Sequence, residues 1–257
     1  MKPQQSPGRA EVDVLVCTYN SATHLEECLK AARECLPIRR LIVVDRHSSD
    51  GTDRIALRWG ADLHQEEVGL GFARTRAVAL STTPQILFLD SDVIVRRRDF
   101  VERGLEELRH PGTGAVVGTA VGHRFLYGLP LSLTLLDRAW ASRVRVPPEV
   151  QGRETYYLQR ELRRSRLGVR YLTDAYTHFG TYRAAPHWPE FQGAWVRITG
   201  GFSPRELLYS AMVVLLIQMN SRRRRNLAYA PIFYAKLLRG FLHPSRWRDL
   251  DRRSQSR

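Results

Sequence analysis

Gln85-Ile86-Leu87-Phe88-Leu89-Asp90-Ser91-Asp92 joins a run of four apolar residues to two carboxylates one residue apart. A short apolar run of this kind reads as a strand buried on both faces. The acids then fall just past the strand's carboxyl end. Toward the N-terminus the same pattern recurs. Residues 12–17 form a β-rich run that leads into Thr18, Tyr19 and Asn20, residues 41–44 form a second run ending at Asp45, and residues 61–65 offer a third. Helical segments separate them. Leu25, Cys28, Leu29, Ala32, Cys35 and Leu36 recur at helical spacing behind Ser21, a capping residue. Ile55, Ala56 and Trp59 follow the capping oxygens of Ser49, Asp50 and Thr52 and stop at Gly60, and another helix opens at Gly69 and Gly71 and runs through Ala79.

Strand–helix alternation at this spacing predicts right-handed βαβ units and an α/β fold with a doubly wound, mostly parallel sheet. Ligands of such sheets bind beyond the carboxyl ends of the strands, where Thr18–Asn20, Asp45 and Asp90–Asp92 converge. Past residue 100 the pattern predicts helices over 99–108 and 154–164 and strands over 115–121 and 169–172. It also predicts an irregular loop over the Pro- and Trp-rich residues 183–195. Ser203-Pro204-Arg205-Glu206 combines a capping box with proline at the first helical position, so a largely apolar helix is expected from there to about residue 219. A second apolar stretch covers 227–242. The expected organisation is a short N-terminal segment (1–9), a domain over 10–200 with two halves (10–125 and 126–200), and a basic, apolar helical segment over 201–257.

Charge is divided unevenly along the 257 residues. Residues 1–95 hold 11 basic and 13 acidic side chains, whereas residues 96–257 hold 29 and 13, so the formal excess of +14 belongs wholly to the second part. Such asymmetry points to an anionic partner there. Cys17, Cys28 and Cys35 match no zinc spacing and read as reduced, buried thiols. Neither a leader-like apolar run at the N-terminus nor an uninterrupted apolar stretch of about 18 residues is present, so the expectation is a cytoplasmic protein, peripheral on the inner face of the cell membrane.

Asp90 and Asp92 present hard oxygens suited to Mg²⁺ or Mn²⁺, which can bridge a diphosphate and neutralise a departing phosphate. Alone, an Asp-x-Asp pair also fits a strand end followed by a capping aspartate. Four segments together are more specific. Val12-Asp-Val-Leu-Val-Cys-Thr-Tyr-Asn20, Leu41-Ile-Val-Val-Asp-Arg-His-Ser-Ser-Asp-Gly-Thr52, Gly69-Leu-Gly-Phe-Ala-Arg-Thr-Arg76 and Ile86-Leu-Phe-Leu-Asp-Ser-Asp-Val93 resemble, in order and spacing, the family-2 glycosyltransferases of GT-A fold.

The resemblance implies transfer of a sugar from a nucleotide-diphosphate donor, with inversion and a divalent metal. It implies that Thr18, Tyr19 and Asn20 border the base and ribose, that Asp45 accepts a hydrogen bond from the base, and that Asp50 edges the same pocket. Arg74 is implied to pair with diphosphate, Asp90 and Ser91 to meet ribose or metal, and Asp92 to be the metal ligand, with His178 as a late ligand to metal or diphosphate. Glu154 matches the carboxylate that deprotonates an acceptor hydroxyl. Helix capping by Asp50 and a first-turn, dipole-favoured Glu154 stay open beside these roles. The sequence departs from the family at Arg46 and His47, where acids are usual, and at Thr75, where the family has asparagine.

The basic cluster at 222–225 between two apolar stretches fits docking on an anionic membrane surface, with a glycan or lipid-linked acceptor, or else packing on the domain or on a second copy. Nucleic-acid binding is not expected, because the arginines flank apolar helices instead of alternating with aromatics. The competing readings are a nucleotidyltransferase, which would need a Gly/Lys loop absent from 17–21, and an inactive GT-A-like binding module.

Overall fold

A computed structural model describes residues 11–179, 188–220 and 230–246, which fall into two compact units. The first holds residues 11–121 and 129–179. Its eight-stranded sheet has the order β3-β2-β1-β4-β7-β6-β8-β5, and the first half is the alternation expected. β1 (Val12–Thr18) lies between β2 (Ile38–Asp45) and β4 (Gln85–Asp90), parallel to both, and β3 (Asp62–Gln65) adds on the outer side of β2. The intervening helices are α1 (Ala22–Cys35), α2 (Thr52–Arg58) and α3 (Leu70–Leu80). The GT-A fold is therefore present.

Two apolar clusters sandwich this sheet because alternate residues of each buried strand face opposite sides. Val14, Val16, Leu41, Val43, Leu87 and Leu89 pack with Leu25, Cys28 and Leu29 of α1 on one face. Leu15, Ile42, Val44, Ile86 and Phe88 pack with Ala73, Ala77 and Val78 of α3 on the other. Asp13 is the one acid inside β1. Oδ2 of its carboxylate accepts the Thr82 amide at 2.6 Å and the Thr83 amide at 3.2 Å, while Oδ1 is buried without a hydrogen bond among the described residues, so its burial is compensated at one oxygen.

The second half of the sheet departs from simple winding. β7 (Leu133–Asp137) runs antiparallel to β4 and to β6 (Thr113–Ala120), and β8 (Gly168–His178) runs parallel to β6 and antiparallel to the short β5 (Val93–Val95). β8 is longer than the strand expected at 169–172. Its extra residues carry it to His178 beside Val93, directly after Asp92. Helices α4 (Phe100–Leu108), α5 (Arg138–Ala141) and α6 (Thr155–Arg164) complete this unit.

The second unit comprises residues 122–128 and the described part of 180–257. It contains α7 (Trp188–Gly200), α8 (Pro204–Asn220) and α9 (Ala230–Leu242). The loop expected over 183–195 is corrected from residue 188 onward, since those residues are helical, while 183–187 lie outside the described residues. Pro189 stands in the first turn, where its missing N–H costs nothing. Gly193 of α7 and Gly240 of α9 let the two backbones touch: a Cβ on Gly193 would strike the Leu237 carbonyl, and one on Gly240 would strike that of Glu190. Trp195 is buried in this unit and Glu190 pairs with Arg239 at 3.5 Å. The capping box at α8 is half realised, with Ser203 Oγ accepting the Glu206 amide at 3.3 Å. Among the described residues no helix is long and apolar enough to cross a membrane.

Candidate active site

The carboxyl ends of β1, β2 and β4 meet at one edge, because parallel neighbours in register end together: Thr18 pairs with Asp45 and Cys17 with Asp90. At the β1–β2 end, Asp45 is completely buried. Thr18 Oγ1 donates to its Oδ1 at 2.7 Å, Ser48 Oγ donates to the same oxygen at 2.5 Å, and the Ser48 amide donates to Oδ2 at 2.8 Å. The carboxylate thus fixes the turn after β2. Asn20 completes the crossing with φ 47°, a conformation asparagine tolerates. Its amide donates to Ser48 Oγ at 2.8 Å and its Oδ1 accepts the Ser49 amide at 3.0 Å.

Asp50 joins two helix starts. Its Oδ2 accepts the Ala22 amide at 2.9 Å and its Oδ1 accepts the Thr52 amide and hydroxyl at 3.1 and 2.6 Å. Burial opposes the charge, but these hydrogen bonds outweigh it and hold the carboxyl below the ordinary aspartate range. Capping, one of the two roles open in the sequence, is what these contacts provide.

Tyr19 and Arg46 form the outer lip. The Arg46 guanidinium stands 5.7 Å from the Tyr19 ring centroid, and its Nη1 donates to Gln151 Oε1 at 3.1 Å. Gln151 Nε2 in turn donates to the Val68 carbonyl at 2.6 Å. Below it, Glu66 Oε2 accepts the amides of Val68 and Gly69, each at 2.7 Å, so the loop into α3 is tied from both sides. Gly69 has φ 145°, and a Cβ there would run into Gln151. Glu66 and Gln151 escaped the sequence reading, which noted Arg46 only as a departure from the family pattern. The Gln151 contact joins positions 105 apart, a separation no periodicity reveals.

At the β4 end a buried guanidinium lies between two carboxylates. Arg74 Nη2 donates to Asp90 Oδ1 at 3.1 Å, and its Nε stands 2.9 Å from Glu154 Oε1, an ionic contact without hydrogen-bond alignment. Its guanidinium also lies 5.5 Å from the Phe88 ring centroid. Burial works against the Arg74 charge, yet Glu154 and Asp90 prevail and strengthen its hold on the proton. Burial pushes the neighbouring Cys17 thiol up to about 12 despite Arg74, which leaves it protonated and inert. Ser132, just before β7, donates to Asp90 Oδ2 at 2.8 Å.

Ser91 Oγ donates to Ser21 Oγ at 3.1 Å, which links the acidic turn to the head of α1. Asp92 Oδ2 lies 3.4 Å from His178 Nδ1, and the backbone tightens this juncture because the Phe179 amide donates to the Asp92 carbonyl at 2.9 Å. Burial raises Asp92 above its usual range, His178 pulls it back, and the charge of Asp90 adds to the rise. The structure thus brings Asp92 together with His178, and Arg74 with Asp90 and Glu154.

Comparison with known proteins gives these positions a frame. Residues 13–129 match the model of glycosyl transferase family 2. EpsH of Bacillus subtilis (strain 168), provisionally named a glycosyltransferase, is 31% identical over 88 residues; the match covers 32% of this chain and 26% of EpsH, so the chain spans about a quarter of that relative's length. Among solved structures, the mannosyltransferase PcManGT from Pyrobaculum calidifontis, in complex with GDP-Man and Mn²⁺, superposes with a TM-score of 0.69 at 17% identity, covering 93% of this chain and 88% of that one. Glucosyl-3-phosphoglycerate synthase from Mycobacterium tuberculosis, in complex with Mn²⁺, UDP and glucosyl-3-phosphoglycerate, superposes with a TM-score of 0.53 at 20% identity, covering 68% and 78%.

Proposed function

We propose that the chain transfers a sugar from a nucleoside-diphosphate-sugar donor to an acceptor hydroxyl, with inversion. The observation that carries this reading is the meeting of Asp90–Arg74–Glu154 and Asp92–His178 at the carboxyl edge of a sheet whose first half matches the family model. The donor's base and ribose would lie along Tyr19, Asn20 and Arg46. Asp45 would act from beneath, since its oxygens are taken by Thr18 and Ser48.

The residues at the acidic turn suit a divalent cation. Asp90 and Asp92 repel one another, and His178, with a weaker contribution from His24, opposes this. Two carboxylates and one imidazole would leave part of the coordination of Mn²⁺ or Mg²⁺ to the diphosphate. Asp92, with Asp90 and His178, would hold the ion, which supplies charge neutralisation for the departing diphosphate.

Arg74 would hold Asp90 and Glu154 at a fixed separation across the reaction centre. In that position Glu154 accepts the proton of the acceptor hydroxyl as it attacks the anomeric carbon. Calorimetric titration of UDP, GDP and other nucleoside diphosphates, with and without Mn²⁺, tests the reading. Metal-dependent binding of one of them is the expected result; folded protein that binds none returns the chain to the class of inactive binding modules.

The second unit favours a further element of function. Phe202 (69% exposed), Leu208 (73%), Ile232 (57%) and Leu242 (53%) are apolar and open, and within α8 Val214 is the residue recorded as buried among those described. With the four arginines at 222–225, such a surface suits the boundary of an anionic bilayer. Neutralising residues 222–225 should reduce sedimentation with phosphatidylglycerol vesicles; unchanged sedimentation would point to packing or self-association.

A further inference from the structure

At the outer lip of the candidate site, Arg46 is held in place by its backbone and by its side chain. Its amide donates to the Thr18 carbonyl at 3.0 Å, and the next amide, of His47, donates to Gln65 Oε1 at 3.0 Å. The guanidinium stands 5.7 Å from the Tyr19 ring centroid, and Nη1 donates to Gln151 Oε1 at 3.1 Å. Gln151 is itself anchored through Nε2 on the Val68 carbonyl. The remaining edge of the guanidinium, Nη2 and Nε, makes no hydrogen bond among the described residues.

The carboxylates close by are engaged elsewhere. Asp45 is completely buried, with both oxygens taken by Thr18 and Ser48. Glu66 accepts the Val68 and Gly69 amides, and Glu67 lies 3.5 Å from His47 Nε2. What this lip offers a base is therefore a pair of parallel donors, not an acceptor. β2 ends two strands, roughly 10 Å, from β4, so these donors lie toward the base end and away from the acidic turn that suits a diphosphate.

Two parallel N–H groups are matched by two neighbouring acceptors. Guanine presents O6 and N7 in that way, and cytosine presents N3 and O2. Uracil and thymine place an N–H between their carbonyls, and adenine sets an amino group beside N7, so each of these offers one acceptor next to a donor.

We infer that Arg46, oriented by Gln151 and steadied on Tyr19, selects a donor whose base carries two neighbouring acceptors, guanine or cytosine, against uracil, thymine and adenine. This rests on the transferase reading and names the donor class within it. Gln151 is the positioning residue, since it takes up Nη1 and leaves the two-donor edge for the base.

The test is calorimetric titration of the full chain, in Mn²⁺, with GDP, CDP, UDP, dTDP and ADP. GDP or CDP should bind at least about ten-fold tighter than the other three, as a two-point arginine contact discriminates, and whichever leads identifies the base. Arg46→Leu should level the series by weakening the leader and leaving UDP unchanged. Arg46→Lys keeps the charge and loses the fork, so it should recover only part of the preference, and Gln151→Ala should lower it without removing it. Where GDP leads, an analogue with carbon in place of N7 should lose affinity for wild type and none for Arg46→Leu. The wild-type series and the analogue need no variant, so the selection stays testable if Arg46→Leu does not fold. Wild type that binds GDP and CDP no tighter than the others, or a preference that survives Arg46→Leu, overturns the selection alone. An equal loss for the whole series in Arg46→Leu does the same, because it places the guanidinium on the diphosphate. Wild-type protein that binds no nucleotide overturns the transferase reading and the selection with it.

Discussion

The Nε of Arg74 lies 2.9 Å from Oε1 of Glu154, and both side chains are almost wholly removed from solvent. Because Asp90 lies on the guanidinium's other arm, this one cation organises two acids contributed by distant parts of the chain. Removing one partner of a buried pair strands the other charge and costs about 3–5 kcal/mol. Arg74→Met should therefore lower the urea midpoint strongly and abolish transfer. Glu154→Gln should cost less stability and still slow transfer. A double-mutant cycle between Arg74→Met and Glu154→Gln should return a coupling of about 1–3 kcal/mol; additive losses would show that the pair does not act as a unit.

Asp92 answers a different question. Burial works against its charge more than His178 offsets it, and the neighbouring Asp90 adds to the rise, so Asp92→Ala should leave thermal stability nearly unchanged or raise it slightly. The same change should erase the difference between nucleotide titrations with and without Mn²⁺. Full metal dependence in Asp92→Ala would remove Asp92 from the metal site.

Asp50 supplies a pH signature. Its folded carboxyl lies below its ordinary value of 3.8, so its contribution is present above that value and is lost as the pH falls through the folded one. Asp50→Ala frees the Ala22 and Thr52 donors and should cost about 1–2 kcal/mol near neutrality, the range for a lost cap. As the pH falls from about 4 through the folded value, the two proteins should converge in urea midpoint. A constant gap across that range would mean the loss is one of packing and not of charge.

These sites differ in how far the sequence announced them. The strands ending at Thr18, Asp45 and Asp90 were legible because burial on both faces demands unbroken apolar runs and parallel register aligns their ends. Asp92 and His178 were legible as candidates, although their adjacency arises from the extension of β8 beyond residue 172, where polar residues alternate less regularly. Ser132 on Asp90 depends on the antiparallel insertion of β7, and Gln151 on Arg46 depends on a loop closing over α3. Such contacts belong to tertiary structure and leave no period in the chain. Asp45 looked like a ligand and lies completely buried, since a carboxylate at a strand end serves equally well to tie a turn. The helix at 188–200 was hidden because proline and clustered aromatics read locally as a loop, while its apolar face is defined by contact with α9.

That last contact makes a sharp prediction. Helices normally keep their axes about 8–10 Å apart, and closer approach requires residues without side chains at the crossing. Gly193 and Gly240 provide this, each against the other helix's backbone. A methyl group at either position has no flexible neighbour to displace, because what it meets is carbonyl oxygen. Gly240→Ala should therefore separate α7 from α9, and amide exchange across residues 230–242 should accelerate at least ten-fold. Arg239→Ala offers the contrast: it deletes the half-exposed ion pair with Glu190, worth at most about 1 kcal/mol, and should barely alter exchange. If both substitutions behave alike, the glycine crossing is not what holds these helices together.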